Sequence, residues 1–273
     1  MMLDTPPDHI PDPVIAPTPE RIQLKRTAPY CVICQLRYTK DLTADDEDRV
    51  KDFQKEVQTV YPVLREERIP NPPSGYTPIE YRQLFAVSRF YDPRDEWRIT
   101  LAPSFLAVET FKYAGRDDFF SRLNWLAHAH ARHFSCGKVT NLGVRYINRY
   151  FDVLYKIHDF FRHEICGING THAADRSMYS LTETVFYLIG AQLLARWGML
   201  PRNASSDPNS IKPMDVMSWL IDFDMFSTIE LQDDIEWLIT EARRYADEIY
   251  RFFRWSVTDK FIEHFRGGSE DWE

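Results

Sequence analysis

Apolar and polar residues alternate in a series of short runs after residue 28, and this period of two is typical of half-buried β-strands. The break at Ala102-Pro103-Ser104 separates two of these runs and predicts a hairpin turn. The sequence therefore predicts a sheet in which most neighbouring strands are antiparallel. The runs are APYCVICQLRY (28–38), YRQLFAVSRFYD (81–92), WRITLAP (97–103), FLAVETFKY (105–113), VTNLGVRYINRY (139–150), the second half of ETVFYLIGAQLLARWGML (183–200) and SWLIDFDMF (218–226).

Four other segments are predicted helices, and in the clearest of them apolar residues recur every three or four positions. Gly137 and Gly167 each follow a predicted helix and are placed to end it. Thr258 is placed to cap a further, short helix near the C-terminus. The four helical segments are residues 50–64, 115–137, 151–166 and 231–252.

Together these elements predict an α+β fold, in which long amphipathic helices pack on a mostly antiparallel sheet. Paired strands followed by a helix occur in both halves of the chain, which indicates a duplicated strand-strand-helix unit. We predict one domain over residues 28–266, with halves at 28–150 and 151–266, and a flexible tail at 267–273. Residues 1–27 are rich in proline, and two interpretations remain open: a disordered tail, or a peptide docked on a partner or on the domain itself.

The composition is that of a globular protein, and its charge limits the partners that it suits. Apolar residues make up 44% of the 273 residues and the net charge is −8, which argues against a general nucleic-acid binder because phosphate affinity comes from clustered Lys and Arg. The longest nearly apolar run, at 185–195, is too short to span a membrane, and the first twenty residues lack the features of a signal peptide. We therefore expect a cytoplasmic protein with no membrane partner, and four cysteines suit such a reducing compartment.

The phrase Arg-His-x-x-Cys-Gly occurs twice, at 132–137 and 162–167. One interpretation is a structural zinc ion in tetrahedral coordination, and its four candidate ligands are His133, Cys136, His163 and Cys166. The other is that both phrases are ordinary helix ends, with cations in the last turn and a capping glycine. The distance between the two phrases decides between these interpretations. The four ligands can meet around one zinc ion only if the helix after the 139–150 strand runs back along that strand.

Two further pairs of candidates lie in predicted strands. Cys31 and Cys34 are three residues apart, so they point to opposite faces and are predicted core thiols rather than a zinc knuckle. Asp222 and Asp224 are two apart and share a face, an arrangement that suits Mg²⁺ in phosphoryl transfer. The sequence shows no phosphate-binding loop and no obvious third acid for such a site. Capping, pairing with arginine or exposure to solvent is therefore favoured for these aspartates.

The strand GVRYINRY places Arg145 and Arg149 on one face, and Tyr146, Asn148 and Tyr150 on the other. A binding module would use Arg145, Asn148 and Arg149 to hold a phosphate or an acidic peptide, with arginine as a bidentate donor. The alternative is that the arginines pair with carboxylates of this acidic chain.

Two of these phrases, LGVRYINRY at 142–150 and LIDFDMF at 220–226, resemble motifs of an uncharacterised, sporadically distributed bacterial protein family. Its members begin with a strand like VICQLRY, carry a central Leu-Gly-x-Arg-Tyr-Ile-Asn-Arg strand, and end with an Asp-x-Asp strand and a helix. The same order occurs here over residues 29–265. Members often lie near genes of phage defence, and some accessory proteins of CRISPR loci look similar. The resemblance thus implies a defence or regulatory setting.

On these grounds we expect a non-enzymatic subunit that acts through a protein partner, in a bacterial defence complex that resembles the CRISPR-accessory type. Two alternatives stay open. One is a nucleotide- or nucleic-acid-binding module that uses the GVRYINRY strand. The other is a metal-dependent phosphotransferase centred on Asp222 and Asp224.

Overall fold

A computed structural model describes residue 13 and residues 17–25, 27–39, 47–70, 84–134 and 137–267. The strands in this part of the chain are β1 Cys31–Tyr38, β2 Val63–Pro70, β3 Leu84–Tyr91, β4 Trp97–Ala102, β5 Phe105–Thr110, β6 Val139–Tyr150, β7 Ser180–Leu188, β8 Ala191–Leu200 and β9 Ser218–Ser227. The α-helices are α1 Glu47–Val57, α2 Arg116–His133, α3 Ile157–Phe160, α4 His163–Cys166, α5 Ile235–Ser256 and α6 Asp259–Arg266. None of these described helices is long and apolar enough to cross a lipid bilayer.

The strands form one nine-stranded sheet in the order β2-β3-β4-β5-β1-β6-β9-β8-β7, and neighbours in it are antiparallel. This confirms the predicted α+β class. At the centre β1 pairs with β6. We divide the sheet into a first half, from β1 to α2, and a second half, from β6 to α5, so this division falls before β6 whereas the predicted one falls after it. In each half the last strand, β5 or β9, returns to pair with the first strand, and a long helix, α2 or α5, follows it. The two halves therefore repeat one arrangement of strands and helix.

Alternation along the strands separates two faces of the sheet. The helix-covered face bears Val32 and Cys34, which join the main core with side chains of α1, α2, α5 and α6. The opposite side, which we call the second face, bears Cys31 and Ile147 in a smaller apolar cluster with Ile211. Cys31 and Cys34 are both buried, free thiols on opposite faces, as predicted.

Several local signals act as the sequence predicts. The β4–β5 hairpin turns at Pro103 and Ser104, beside the pair formed by Ala102 and Phe105. Thr258 caps α6, since its side chain accepts a hydrogen bond from a backbone N–H of the first turn. The turn and the cap are both short-range features, in which the residue type itself supplies the geometry.

The first predicted helix was too long, and its last part belongs to a strand. α1 ends at Val57, whereas Leu64, predicted on the apolar face of that helix, lies in β2. Pro62 between them explains the change, because proline has no N–H to donate and its ring clashes with the preceding helical turn.

Two predicted helix ends also differ from the structure. α2 ends with Phe134 in an extended conformation, so Gly137 is not its capping residue. The predicted helix over 151–166 is broken, because Phe161 is extended and forms an isolated antiparallel bridge with Val257. The short helices α3 and α4 stand on either side of this break.

Residues 20–22 of the proline-rich segment lie on α5. The Ile22 N–H donates to the Tyr250 hydroxyl (2.8 Å), which in turn donates to the Glu20 carbonyl (3.1 Å). Arg21 pairs with Asp247 of the same helix. This stretch therefore docks on the chain's own domain, while residues 1–12 and 14–16 lie outside the described part.

Candidate functional site

A row of charged side chains crosses the second face, and strand register explains its order. Arg145 of β6 is paired with Asp224 of β9, and Asp222 lies two residues away on the same face of β9. Asp222 is paired with Arg196 of β8, which is paired with Glu183 of β7. Basic and acidic side chains therefore alternate from the centre of the sheet to its edge.

Arg145 is fully engaged by carboxylates of its own chain. Its Nε and Nη2 donate to the two carboxylate oxygens of Asp222, both at 2.7 Å. Its Nη1 donates to Asp207 at 2.7 Å. Burial by itself lowers the pKa of Arg145, but Asp222 and then Asp207 raise it well above its usual value. The guanidinium thus stays charged and neutralises two aspartates.

Asp222 is completely buried, and Arg196 contacts it as well, with 3.4 Å from Nη1 to the carboxylate. Asp224 is partly buried, and burial, together with repulsion from Asp222, raises its pKa to about 6 although Arg145 lowers it.

Asp207 is the third acid near this pair, but arginine nitrogens bind both Asp207 and Asp222. No group of three His, Cys, Asp or Glu side chains within the described residues is arranged to hold a metal ion.

The first half of the sheet carries a related pair on the same face. Arg98 of β4 donates through Nε and Nη2 to the Glu109 carboxylate of β5, at 2.5 and 2.7 Å, and both side chains are buried. Bidentate Arg–carboxylate pairs fix orientation as well as charge. Arg98–Glu109 joins β4 to β5 and Arg196–Asp222 joins β8 to β9, so the two pairs occupy corresponding strands of the two halves.

The loop over 201–217, between β8 and β9, covers the centre of the second face. Arg98 donates to the Asn209 carbonyl (3.1 Å) and Arg149 to the Lys212 carbonyl (2.6 Å), while Asp207 binds Arg145. Between these bonds Ile211 enters the apolar cluster of Cys31 and Ile147. Arginines of both halves thus anchor this loop.

The predicted ligand set of Arg145, Asn148 and Arg149 is not brought to one surface. Asn148 is buried on the helix-covered face, the side on which Tyr146 packs against the main core. Arg149 is buried on the second face and donates to the Ser218 hydroxyl (2.8 Å) and the Lys212 carbonyl. The bonds of both arginines described here are internal, which favours the alternative of pairing within the chain over a binding surface on this strand.

His133, His163 and Cys166 are likewise kept apart. His133 ends α2 and its Nε2 lies 2.6 Å from a Glu56 carboxylate oxygen on α1. Cys166 is buried and donates its thiol to the Phe161 carbonyl (3.4 Å), and burial raises its pKa to about 11. His163 is exposed beside Glu164.

Strand length explains this separation. The Phe161 ring packs on Tyr150 at the C-terminal end of β6, whereas α2 precedes the N-terminal end of that strand, about 36 Å away for a twelve-residue strand. The predicted return helix is broken, so it does not bridge this length. Cys136 lies outside the described residues.

A comparison of the chain with protein-family models, curated proteins and solved structures finds no match.

The most unusual surface of the described chain is the free edge of β7. We call residues 178–189 the β7 edge: its strand, Ser180–Leu188, pairs on one side with β8 and has no described strand partner on the other. A free strand edge presents unpaired N–H and C=O groups and is a template for another chain. Glu183 is the single charged residue within β7, and its carboxylate accepts a hydrogen bond from Arg196 at 2.5 Å.

Exposed apolar side chains stand at both ends of this edge. Met178 and Tyr179 precede the strand with 84% and 55% of their surface exposed, and Tyr187 and Ile189 end it with 81% and 95%. They account for four of the ten large apolar side chains that are exposed in the described residues. Exposed apolar side chains gathered along one free strand edge indicate a candidate interaction site.

The opposite edge of the sheet, β2, has a different character. Half of its eight residues are charged, in the run Arg-Glu-Glu-Arg over 65–68, and Pro70 ends it. Charges and proline are the usual means by which an edge strand is protected from pairing with other chains. β2 therefore carries this protection and β7 does not.

Sequence analysis missed the β7 edge because exposure is not visible in a sequence. The run VFYLIGAQLLA reads as continuous apolar sequence, and its first part was not assigned to a strand. The only available signal was the low charge of residues 178–195 between two charged stretches, and this signal also fits a buried strand.

Proposed function

We propose that this chain is a non-enzymatic interaction subunit, which joins another protein chain through the β7 edge. The observation that carries the proposal is the combination of an uncapped strand edge with four exposed apolar side chains at its two ends. Addition of a strand to such an edge supplies backbone hydrogen bonds, and the flanking apolar side chains supply selectivity.

The internal pairing of the charged groups supports the same proposal. Arg145, Asp222 and Asp207 bind one another on the second face, beneath a loop that is anchored to the sheet. These contacts favour a structural role for the charged row over the binding of a phosphate or Mg²⁺. The setting that we propose, a bacterial defence complex, rests on the resemblance of the LGVRYINRY and LIDFDMF phrases alone.

Site-directed photo-cross-linking in cells tests this function. A photoreactive benzoylphenylalanine replaces Tyr187 on the β7 edge or, as the matched control, Tyr155, whose side chain is 75% exposed elsewhere on the surface. We expect one discrete cross-linked product from position 187 and none from position 155. The proposal is wrong if position 187 yields no product, or the same diffuse products as position 155.

A further inference from the structure

The β7 edge also indicates which chain it binds. We infer that its partner is a second copy of this protein, with the two β7 strands antiparallel about a two-fold axis that passes through Thr184. This inference rests on the proposed function, because it names the partner of the same edge. The resulting dimer would continue the nine-stranded sheet of one copy directly into that of the other.

The exposed apolar residues carry the inference, because this symmetry brings the two ends of the edge together. An axis at Thr184 places Tyr187 of one copy opposite Leu181 of the other, and brings Ile189, which follows the strand in the hairpin turn, close to Tyr179, which precedes the strand. Each of these pairs occurs twice in the dimer. Residues opposite each other in antiparallel strands lie on the same face with Cβ atoms about 5 Å apart, so Tyr187 contacts Leu181 of the other copy.

The arrangement of polar residues fits the same axis. Glu183 lies opposite Val185 of the other copy and retains its bond to Arg196 of its own chain. An axis at Glu183 would instead place the two Glu183 carboxylates directly opposite each other, which is destabilising. An axis displaced by half a residue would pair side chains from opposite faces, which the pleat of a sheet does not allow.

Charge reversal tests this pairing directly. An acidic variant carries Tyr179→Glu with Ile189→Glu, and a basic variant carries Tyr179→Lys with Ile189→Lys. In either variant alone the axis at Thr184 brings like charges close together twice, whereas a mixture of the two brings Glu close to Lys. Two like-charge pairs weaken self-association at least about tenfold, and opposite charges restore it.

Sedimentation velocity of the full chain measures the outcome. At about 50 μM, well above a micromolar dissociation constant, we expect the wild type and a Tyr155→Glu control to be dimers. Across a dilution series, the dissociation constants of the acidic and basic variants should each be at least about tenfold above that of the wild type, and their equimolar mixture should form a one-to-one heterodimer as tightly as the wild type forms its dimer. Both substituted positions are exposed, and a thermal unfolding profile like that of the wild type verifies that each variant is folded.

Two results would overturn the inference. One is a monomeric wild type at this concentration, and the other is a dissociation constant that is unchanged in both charge variants. If the wild type is monomeric while position 187 still cross-links a different protein, the proposed function stands and only the identity of the partner is wrong. If position 187 cross-links nothing and the wild type is monomeric, both fail.

Discussion

Asp224 is the carboxylate of the second face with the least favourable surroundings. Asp222 beside it has a bidentate arginine, whereas Asp224 contributes a further negative charge to a partly buried site. Burial and Asp222 raise its pKa from 3.8 to about 6. Folding therefore takes up a proton at this residue between these two values, and the ionised form opposes folding at neutral pH.

Asp224→Asn is accordingly expected to stabilise the protein at pH 8. The full pKa difference corresponds to about 3 kcal/mol, and we expect a gain of about 1 kcal/mol because the carboxylate is partly exposed and screened by solvent. The gain shrinks as pH falls through 6 and is small at pH 4, where Asp224 is protonated in the folded chain and partly protonated in the unfolded chain. Urea unfolding at both pH values measures this difference.

Asp215→Asn is the matched control for this measurement, because Asp215 is exposed in the loop over 201–217. It should change the free energy of unfolding by less than about 0.5 kcal/mol at either pH. An equal effect of Asp224→Asn at pH 4 and pH 8 would show that the carboxylate is not held in an unfavourable environment.

For single residues, the sequence predicted which face of the sheet a side chain lies on better than it predicted which residue that side chain contacts. A period of two is enough to place Arg145 and Arg149 on one face and Cys31 and Cys34 on opposite faces. It does not show that Asp207, in a loop, reaches Arg145 over a sequence separation of 62 residues. Such long-range pairing depends on how β8 and β9 are joined, and no local pattern encodes it.

Among the elements, central strands and capped helices were predictable, and edge strands were not. β6 and β9 alternate clearly because each has neighbours on both sides and different environments on its two faces. The edge strand β2 carries charges on both faces, and β7 carries apolar residues on both, so the alternation is lost. Edge position thus removes the signal on which strand prediction relies.

The start of α5 is fixed by a single side chain. Asp234 accepts a hydrogen bond from the Trp237 backbone N–H at 2.7 Å, and its negative charge interacts favourably with the positive end of the helix dipole. We expect Asp234→Ala to lower the free energy of unfolding by about 1 kcal/mol. Urea unfolding followed by circular dichroism measures the loss.

The neighbouring Asp233 provides the control for this cap. Asp233 is also exposed but does not cap α5, so Asp233→Ala should change the free energy of unfolding by less than about 0.5 kcal/mol. Equal losses in the two variants would mean that the general negative charge at this end of α5, rather than the Asp234 hydrogen bond, provides the stabilisation.

For the whole molecule, the repeated halves raise the question of whether they fold separately. Their first strands, β1 and β6, pair over eight residue positions at the centre of one sheet. Residues of both halves, such as Phe119 of α2 and Phe252 of α5, belong to the same core cluster. The loop over 201–217 adds a bond from the second half to Arg98 of the first. These contacts lead us to expect that the two halves unfold as one cooperative unit.

Arg145→Met tests this cooperativity, because it damages the second face in the second half. It leaves Asp222 completely buried with Arg196 as its remaining described arginine contact, at 3.4 Å, and removal of one partner of a buried pair costs about 3 kcal/mol or more. Hydrogen exchange in a urea series reports each half separately, through peptides that cover β4 and β8. We expect the urea midpoints of both peptides to fall by the same amount.

The control is Lys51→Ala, because the Lys51 side chain on α1 is exposed. This variant should leave both urea midpoints unchanged, since surface ion pairs contribute little to the free energy of unfolding. A lower midpoint for β8 with an unchanged midpoint for β4 would show that the halves unfold independently, although they share a sheet. A common shift would instead mean that the pairing of β1 with β6 transmits the loss across the centre of the sheet. The duplicated unit would then be a feature of chain organisation and not a boundary between domains.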